Sequence, residues 1–162
     1  MTDFDRLLSA LSDARVELVL VGGLAATVHG SARLTQDVDV VYARSDENIA
    51  RLVAALSPFQ PYLRGAPPGL PFEWSAKTLR RGLNFPLVTT VGDIDVLGEI
   101  AGLGDYAHVR DHAISIELFG RPIQCLDLPS LIRAKRAAGR PKDLETIAEL
   151  EALIEERGQD EH

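Results

Sequence analysis

Cysteine is nearly missing from this chain. Cys125 stands alone, so neither an intrachain disulfide nor a cysteine-based zinc site can form, and the residue is expected as a small buried side chain in a reducing cytosol. Positive charge is scarce too: 17 Lys and Arg face 24 Asp and Glu, for a net charge of −7. That balance argues against a general nucleic-acid binder and leaves only local basic patches to meet a polynucleotide. Long apolar runs are absent. Glu17 and the Gly22-Gly23 pair interrupt the longest one short of a membrane span, and no signal peptide is expected from the acidic start MTDFDR. A cytoplasmic protein with no membrane partner is expected. With no repeat or low-complexity segment, 162 residues of which 46% are hydrophobic suffice for one buried core.

The most informative stretch runs from Val16 to Tyr42. It reads as a buried strand (Val16 to Val21), a Gly22-Gly23 turn, a short small-residue helix (Leu24 to His29), a polar crossing, and a second strand carrying Asp37 and Asp39. Strand residues two apart share a face, with Cα atoms about 6.6 Å apart, so both carboxylates project together while Val38, Val40 and Val41 supply the apolar part of the strand. One divalent metal, or two about 3.5–4 Å apart, is the simplest reason to hold two like charges there. Gly22 and Gly23 have no Cβ to keep a ligand away and can turn backbone N–H groups toward a phosphate. Arg33 and Thr35 immediately precede the acids; Arg33 either contacts a triphosphate, supports Asp37, or is simply solvated. Together these features point to phosphoryl or nucleotidyl transfer.

Further along, Phe4, Leu7, Leu8 and Leu11 form the stripe of an opening helix, and Ser45 caps a helix over residues 45–56. Residues 57–71 hold five prolines and two glycines, which predicts a loop across the mouth of the site rather than a regular element. His29 and Trp74 are expected in packing roles. Residues 84–90 and 92–97 read as strands, the second placing Asp93 and Asp95 on one face. Two more strands (114–119, 122–126) precede a helix in which Arg133, Lys135, Arg136, Arg140 and Lys142 are concentrated, broken by Gly139 and Pro141.

Gly22-Gly23, the spacer of residues 24–36 and Asp37-Val38-Asp39 between hydrophobics resemble the nucleotidyltransferase superfamily that includes DNA polymerase β. In that pattern a later strand supplies a third carboxylate between hydrophobics, which Ile94-Asp95-Val96 matches, with Asp93 as the competitor. Lys135 followed by Arg140-Pro141-Lys142-Asp143 is similar to the C-terminal pattern of AbiE-type nucleotidyltransferase toxins and their small stand-alone relatives in bacterial toxin–antitoxin pairs. The resemblance covers roughly residues 15 to 150; a further Asp of that pattern is Thr146 here, and the larger helical domain of the better-known toxins is not expected.

The resemblance implies an α/β (α+β) nucleotidyltransferase fold: a small mixed, twisted sheet flanked by helices, the acids at one edge, and C-terminal helices closing the site. Expected units are a core over 1–126, a helical extension over 127–157 and a disordered tail over 158–162. Asp37, Asp39 and Asp95 are the expected catalytic and metal residues, holding two Mg²⁺ with Mn²⁺ as substitute. Gly22, Gly23, Arg33, Thr35, Lys135, Arg140, Lys142 and Asp143 are the expected nucleotide-binding residues. The expected partners are an NTP, an acceptor for which RNA or tRNA is the first candidate and a small molecule such as an antibiotic the second, and an antitoxin protein. A non-catalytic nucleotide- or partner-binding module of the same fold is the competing class.

Overall fold

The computed structural model describes residues 1–160. Helix α1 (Phe4–Asp13), capped by Asp3 accepting from the Arg6 N–H, leads into β1 (Leu18–Val21), which begins two residues later than the apolar pattern suggests. The delay has a local cause: Arg15 takes a left-handed conformation (φ 58°) and the Val16 N–H returns to the Leu11 carbonyl, so that segment belongs to the end of α1. Gly22-Gly23 opens helix α2 (Gly22–Val28) rather than forming a separate turn. After β2 (Asp37–Tyr42) comes α3 (Asp46–Leu56), with Ser45 accepting from the Asn48 N–H.

The proline-rich segment is not wholly irregular. It contains the two-residue strand β3 (Tyr62–Leu63), which pairs with β4 (Asn84–Thr89) beyond helix α4 (Ala76–Arg81). Proline composition hid that pairing because the strand is short and sits between Pro61 and Pro67-Pro68. Strand β5 (Gly92–Leu97), the small β6 (Glu99–Ile100) and β7 (Gly104–Asp105) ribbon and helix α5 (Tyr106–Val109) follow. The hairpin β8 (Ala113–Leu118) and β9 (Arg121–Leu126) then feeds α6 (Leu128–Ala138) and α7 (Leu144–Asp160). Asp127 caps the start of α6, and Gly139, in the left-handed region at φ 65°, ends it. Helix α7 continues through residues 158–160 of the expected tail; residues 161 and 162 lie outside the described residues.

Seven strands form one mixed sheet in the order β3-β4-β5-β2-β1-β9-β8. The strands carrying the acids, β2 and β5, are therefore adjacent and central, not at an edge: the antiparallel β4 and β3 extend the sheet beyond one and β1-β9-β8 beyond the other. Val38, Val40, Ile94 and Val96 point to the opposite face and are fully buried, in one core with the stripes of α1 (Leu7, Leu8, Leu11) and α3 (Ile49, Leu52, Leu56). Burying each of these side chains contributes about 1.5–3 kcal/mol, which is what fixes the alternation that turns the acids the other way. Among the described residues no helix is long and apolar enough to cross a membrane.

Candidate active site

Strands β2 and β5 run parallel, with Asp37 opposite Asp93 and Asp39 opposite Asp95. Because both strands alternate acid and hydrophobe, this register places four carboxylates on one face in a two-by-two array. Such an array repels itself. Burial, then the charge of Asp95 and a hydrogen bond shared with it, then the charge of Asp37, raise the Asp39 carboxyl to about 7 against the opposing pull of Arg64.

Arg64 is the residue on the acid face that sequence reasoning missed. It follows β3 directly, and its guanidinium reaches Asp95 Oδ1 (2.8 Å), Asp93 Oδ2 (3.4 Å) and Asp37 Oδ2 (3.8 Å). Only the β3–β4 pairing brings it there: the Arg64 N–H donates to the Pro86 carbonyl, and Pro86 lies opposite Asp95. An arginine within a proline-rich loop carries no local signal of that contact. As the side chains stand, no three Asp, Glu, His or Cys groups among the described residues form a ready metal cage. The donor set nevertheless suits a hard divalent cation: it is all carboxylate oxygen, it is clustered against its own repulsion, and Asp95 Oδ1 is buried without a hydrogen-bond partner despite its distance to Arg64.

Three of these acids, Asp37, Asp39 and Asp95, line a cleft of about 400 Å³ whose opposite wall is α6. Gly22, Asp37, Asp39 and Asp95 lie on one side and Leu131, Ala134, Lys135, Ala138 and Arg140 on the other, with Leu97, Ile100 and Leu126 as apolar lining between them. Lys135 and Arg140 are held by one buried anion: Asp143 Oδ2 accepts from Arg140 Nε (2.8 Å) and Oδ1 lies 3.5 Å from Lys135 Nζ. Burial works against ionisation of Asp143, but the Arg140 hydrogen bond and the Lys135 charge outweigh it and keep the carboxyl below its ordinary range. Asp143 is thus a clamp behind the two cations and not itself part of the cleft lining.

The remaining sequence-selected residues divide. Lys142 is exposed and outside the cleft. Arg33 turns away to helix α7, 3.1 Å from Glu145 and 3.8 Å from Glu149. Glu149 also accepts from the Ser31 hydroxyl (2.6 Å) and the Ala32 N–H (3.1 Å), so the segment leading to Asp37 is tied to α7. The Thr35 hydroxyl donates to the Asp37 carbonyl at 3.3 Å and lies against Gly23, where a Cβ would come within 2.7 Å of Thr35 Oγ1. His29 and Trp74 have packing roles: His29 Nε2 meets the Leu126 carbonyl (2.8 Å), and Trp74 Nε1 donates to the Val53 carbonyl (3.0 Å).

Gly22 is required twice over. Its φ of +69° suits glycine, and a Cβ at this position would collide with Asp39 Oδ2 and lie 2.8 Å from Asp39 Cγ. Gly22→Ala is therefore expected to cost about 1–2 kcal/mol from the backbone alone and to swing the Asp39 side chain off the array. Thermal unfolding together with a Mg²⁺ titration checks this; an unchanged melting point with unchanged metal affinity would show that the contact is dispensable.

No family model and no curated protein sequence matches the chain. The fold, however, is that of known nucleotidyltransferase structures. The lincosamide antibiotic adenylyltransferase LnuA, solved with lincomycin bound, aligns at TM-score 0.62 and 15% identity over 94% of this chain and 98% of its own. A Thermotoga maritima protein described as a nucleotidyltransferase aligns at 0.58 and 18% identity, over 92% of this chain and 94% of its own. The antibiotic-resistance factor ANT(2'')-Ia aligns at 0.58 and 15% identity, over 96% and 82% respectively.

Proposed function

We propose that this chain is a metal-dependent nucleotidyltransferase that moves a nucleoside monophosphate from an NTP to an acceptor hydroxyl and releases pyrophosphate. The observation that carries the reading is the parallel register of β2 and β5, which sets Asp37 and Asp39 beside Asp95 on the floor of a cleft walled by Lys135 and Arg140. Asp37, Asp39 and Asp95 would hold Mg²⁺, two ions in the full complex with Mn²⁺ able to substitute; the bound metal would supply charge neutralisation at the phosphates and acidify the acceptor hydroxyl. Little covalent chemistry is asked of the protein, so a site without a nucleophile is adequate.

The chain's own groups have distinct tasks in this reading. Asp95 takes the proton of the acceptor hydroxyl as the acceptor oxygen bonds to the α-phosphorus and the bond from the α-phosphorus to the departing pyrophosphate breaks. Lys135 Nζ and Arg140, pre-positioned by Asp143, meet the negative charge that collects on departing pyrophosphate. The start of α2 has no side-chain cap, which leaves the N–H groups around Gly22 and Gly23 to meet phosphate oxygens at the positive end of a helix. Arg33 and Lys142, turned away from the cleft, are assigned no contact with the nucleotide.

Two acceptor classes have support. A small hydroxylated molecule is favoured by the size match, since the fold shared with LnuA extends over nearly the whole of both chains. RNA or tRNA modification, with the chain as the toxin half of a toxin–antitoxin pair, is favoured by the basic stretch from Arg133 to Lys142, in which Arg133, Arg136 and Lys142 are exposed outside the cleft. Incubation with Mg²⁺ and each labelled NTP, with a tRNA pool and with aminoglycoside and lincosamide acceptors in parallel, separates the two. Calorimetry with Mg²⁺ and each NTP tests the common premise: failure to bind any NTP in the presence of metal would overturn the enzyme reading in both forms.

A further inference from the structure

Arg64 stands on three carboxylates without committing to any of them. A guanidinium used for cohesion forms a two-point fork with a single carboxylate, and this chain has that arrangement elsewhere, where Arg121 Nε and Nη2 meet Asp13 Oδ1 and Oδ2 at 2.7 and 3.0 Å. On the acid face the fork is missing. Arg64 Nε and Asp95 Oδ1 are both buried without hydrogen-bond partners, while Nη2 donates to the Leu87 carbonyl at 2.9 Å. The backbone is pinned by the bond from the Arg64 N–H to Pro86 and by the pairing of Tyr62 and Leu63 with β4. Neither of these backbone contacts involves the guanidinium, so a change of side-chain partner does not require the strand to shift.

We propose that Arg64 is a built-in cation that neutralises the acid face of the metal-free protein and sets its metal affinity by competing for Asp95 and Asp37, withdrawing to Asp93 when metal enters. The proposal rests on the metal-dependent reading above. Sharing Asp95 Oδ1 between a guanidinium at 2.8 Å and a divalent cation carries a repulsive cost, because the two positive centres would lie within a few ångströms of each other. Asp93 is the member of the four that does not line the cleft, and it already lies 3.4 Å from Arg64 Nε. The two acids of β5 thereby receive different tasks, Asp95 toward the metal and Asp93 toward the arginine.

Calorimetric titration of Mg²⁺ and Mn²⁺ into the nucleotide-free protein tests this, alongside thermal unfolding in chelator. Arg64→Gln is expected to bind metal about ten-fold tighter, the scale for removing a positive charge next to the ligand oxygens, and to unfold at lower temperature without metal. Asp93→Asn should weaken metal binding several-fold by leaving Arg64 no alternative partner, and should have little further effect in the Arg64→Gln background. Unchanged or weaker metal binding by folded Arg64→Gln, or independent effects in the double variant, overturns the competition while leaving the metal-dependent reading intact. No metal binding by either wild type or Arg64→Gln overturns both. Should Arg64→Gln fail to fold, the sign of the Asp93→Asn effect alone decides, and tighter or unchanged binding there rejects the proposal.

Discussion

Asp39→Asn is expected to abolish nucleotidyl transfer while making the metal-free protein more stable above neutral pH. Asp39 lies opposite Asp95 in the β2–β5 register and two residues from Asp37 on its own strand, so an amide here removes one anion, a ligand in the proposed metal site, from the array. A loss of about a hundred- to a thousand-fold in rate is the scale for removing one main electrostatic contributor to a transition state. The stability change has the opposite sign because the native carboxylate is strained by burial and by its neighbours, which raise it from 3.8 to about 7. A carboxyl raised in the folded state contributes stability that is fully present below its unfolded value and lost as pH rises through the folded one. Wild type and Asp39→Asn should therefore unfold alike near pH 4 and diverge through pH 7, the variant being more stable by about 1–3 kcal/mol at roughly pH 8.5. Thermal unfolding in chelator across that range, with labelled-NTP transfer assays, measures both halves. Retained transfer would remove Asp39 from the metal site, and a difference independent of pH would mean that the strain lies elsewhere.

Lys135→Ala should weaken NTP binding in the presence of Mg²⁺ by about 1.5–3 kcal/mol, or roughly ten- to a hundred-fold in Kd, the range for a hydrogen bond to a charged group. Lys135 is suited to this by its place on the cleft wall and by the buried Asp143 that holds it with Arg140; its side chain is only 18% exposed. Arg133, on the same helix but exposed and outside the cleft, supplies the control, and Arg133→Ala should bind NTP normally. AMP binding should be spared in both variants, because the lost contact is to the outer phosphates. Equal, small losses in the two variants that fade with added salt would indicate screened surface charge, and Lys135 would lose its assigned contact with the triphosphate.

Much of this molecule is legible locally. The helix cap at Ser45 and the glycine stop at Gly139 follow from side-chain and backbone chemistry within a few residues, and both stand where the chain indicates them. The alternations 37–39 and 93–95 are likewise strand properties, readable because a strand repeats every two residues. Their consequence for Arg33 was less accessible: an arginine four residues before Asp37 looks like a phosphate ligand, and its ion pairs with Glu145 and Glu149 depend on where a helix more than a hundred residues later comes to rest.

From sequence alone the chain determined that a glycine pair and two alternating acid strands would form, with a basic helix to follow, since these are patterns of neighbouring residues. Tertiary structure decided how they meet. Parallel pairing of β2 with β5 made one array of two separate acid pairs, and a two-residue strand too short to register in composition carried Arg64 onto it. The packing of α6 against the residues after it turned Asp143 from a ligand candidate into the anchor of Lys135 and Arg140. The physical reason is common to all three: charge interactions depend on distance through space, and distances between remote segments are set by strand register and helix packing, which no short window of sequence contains.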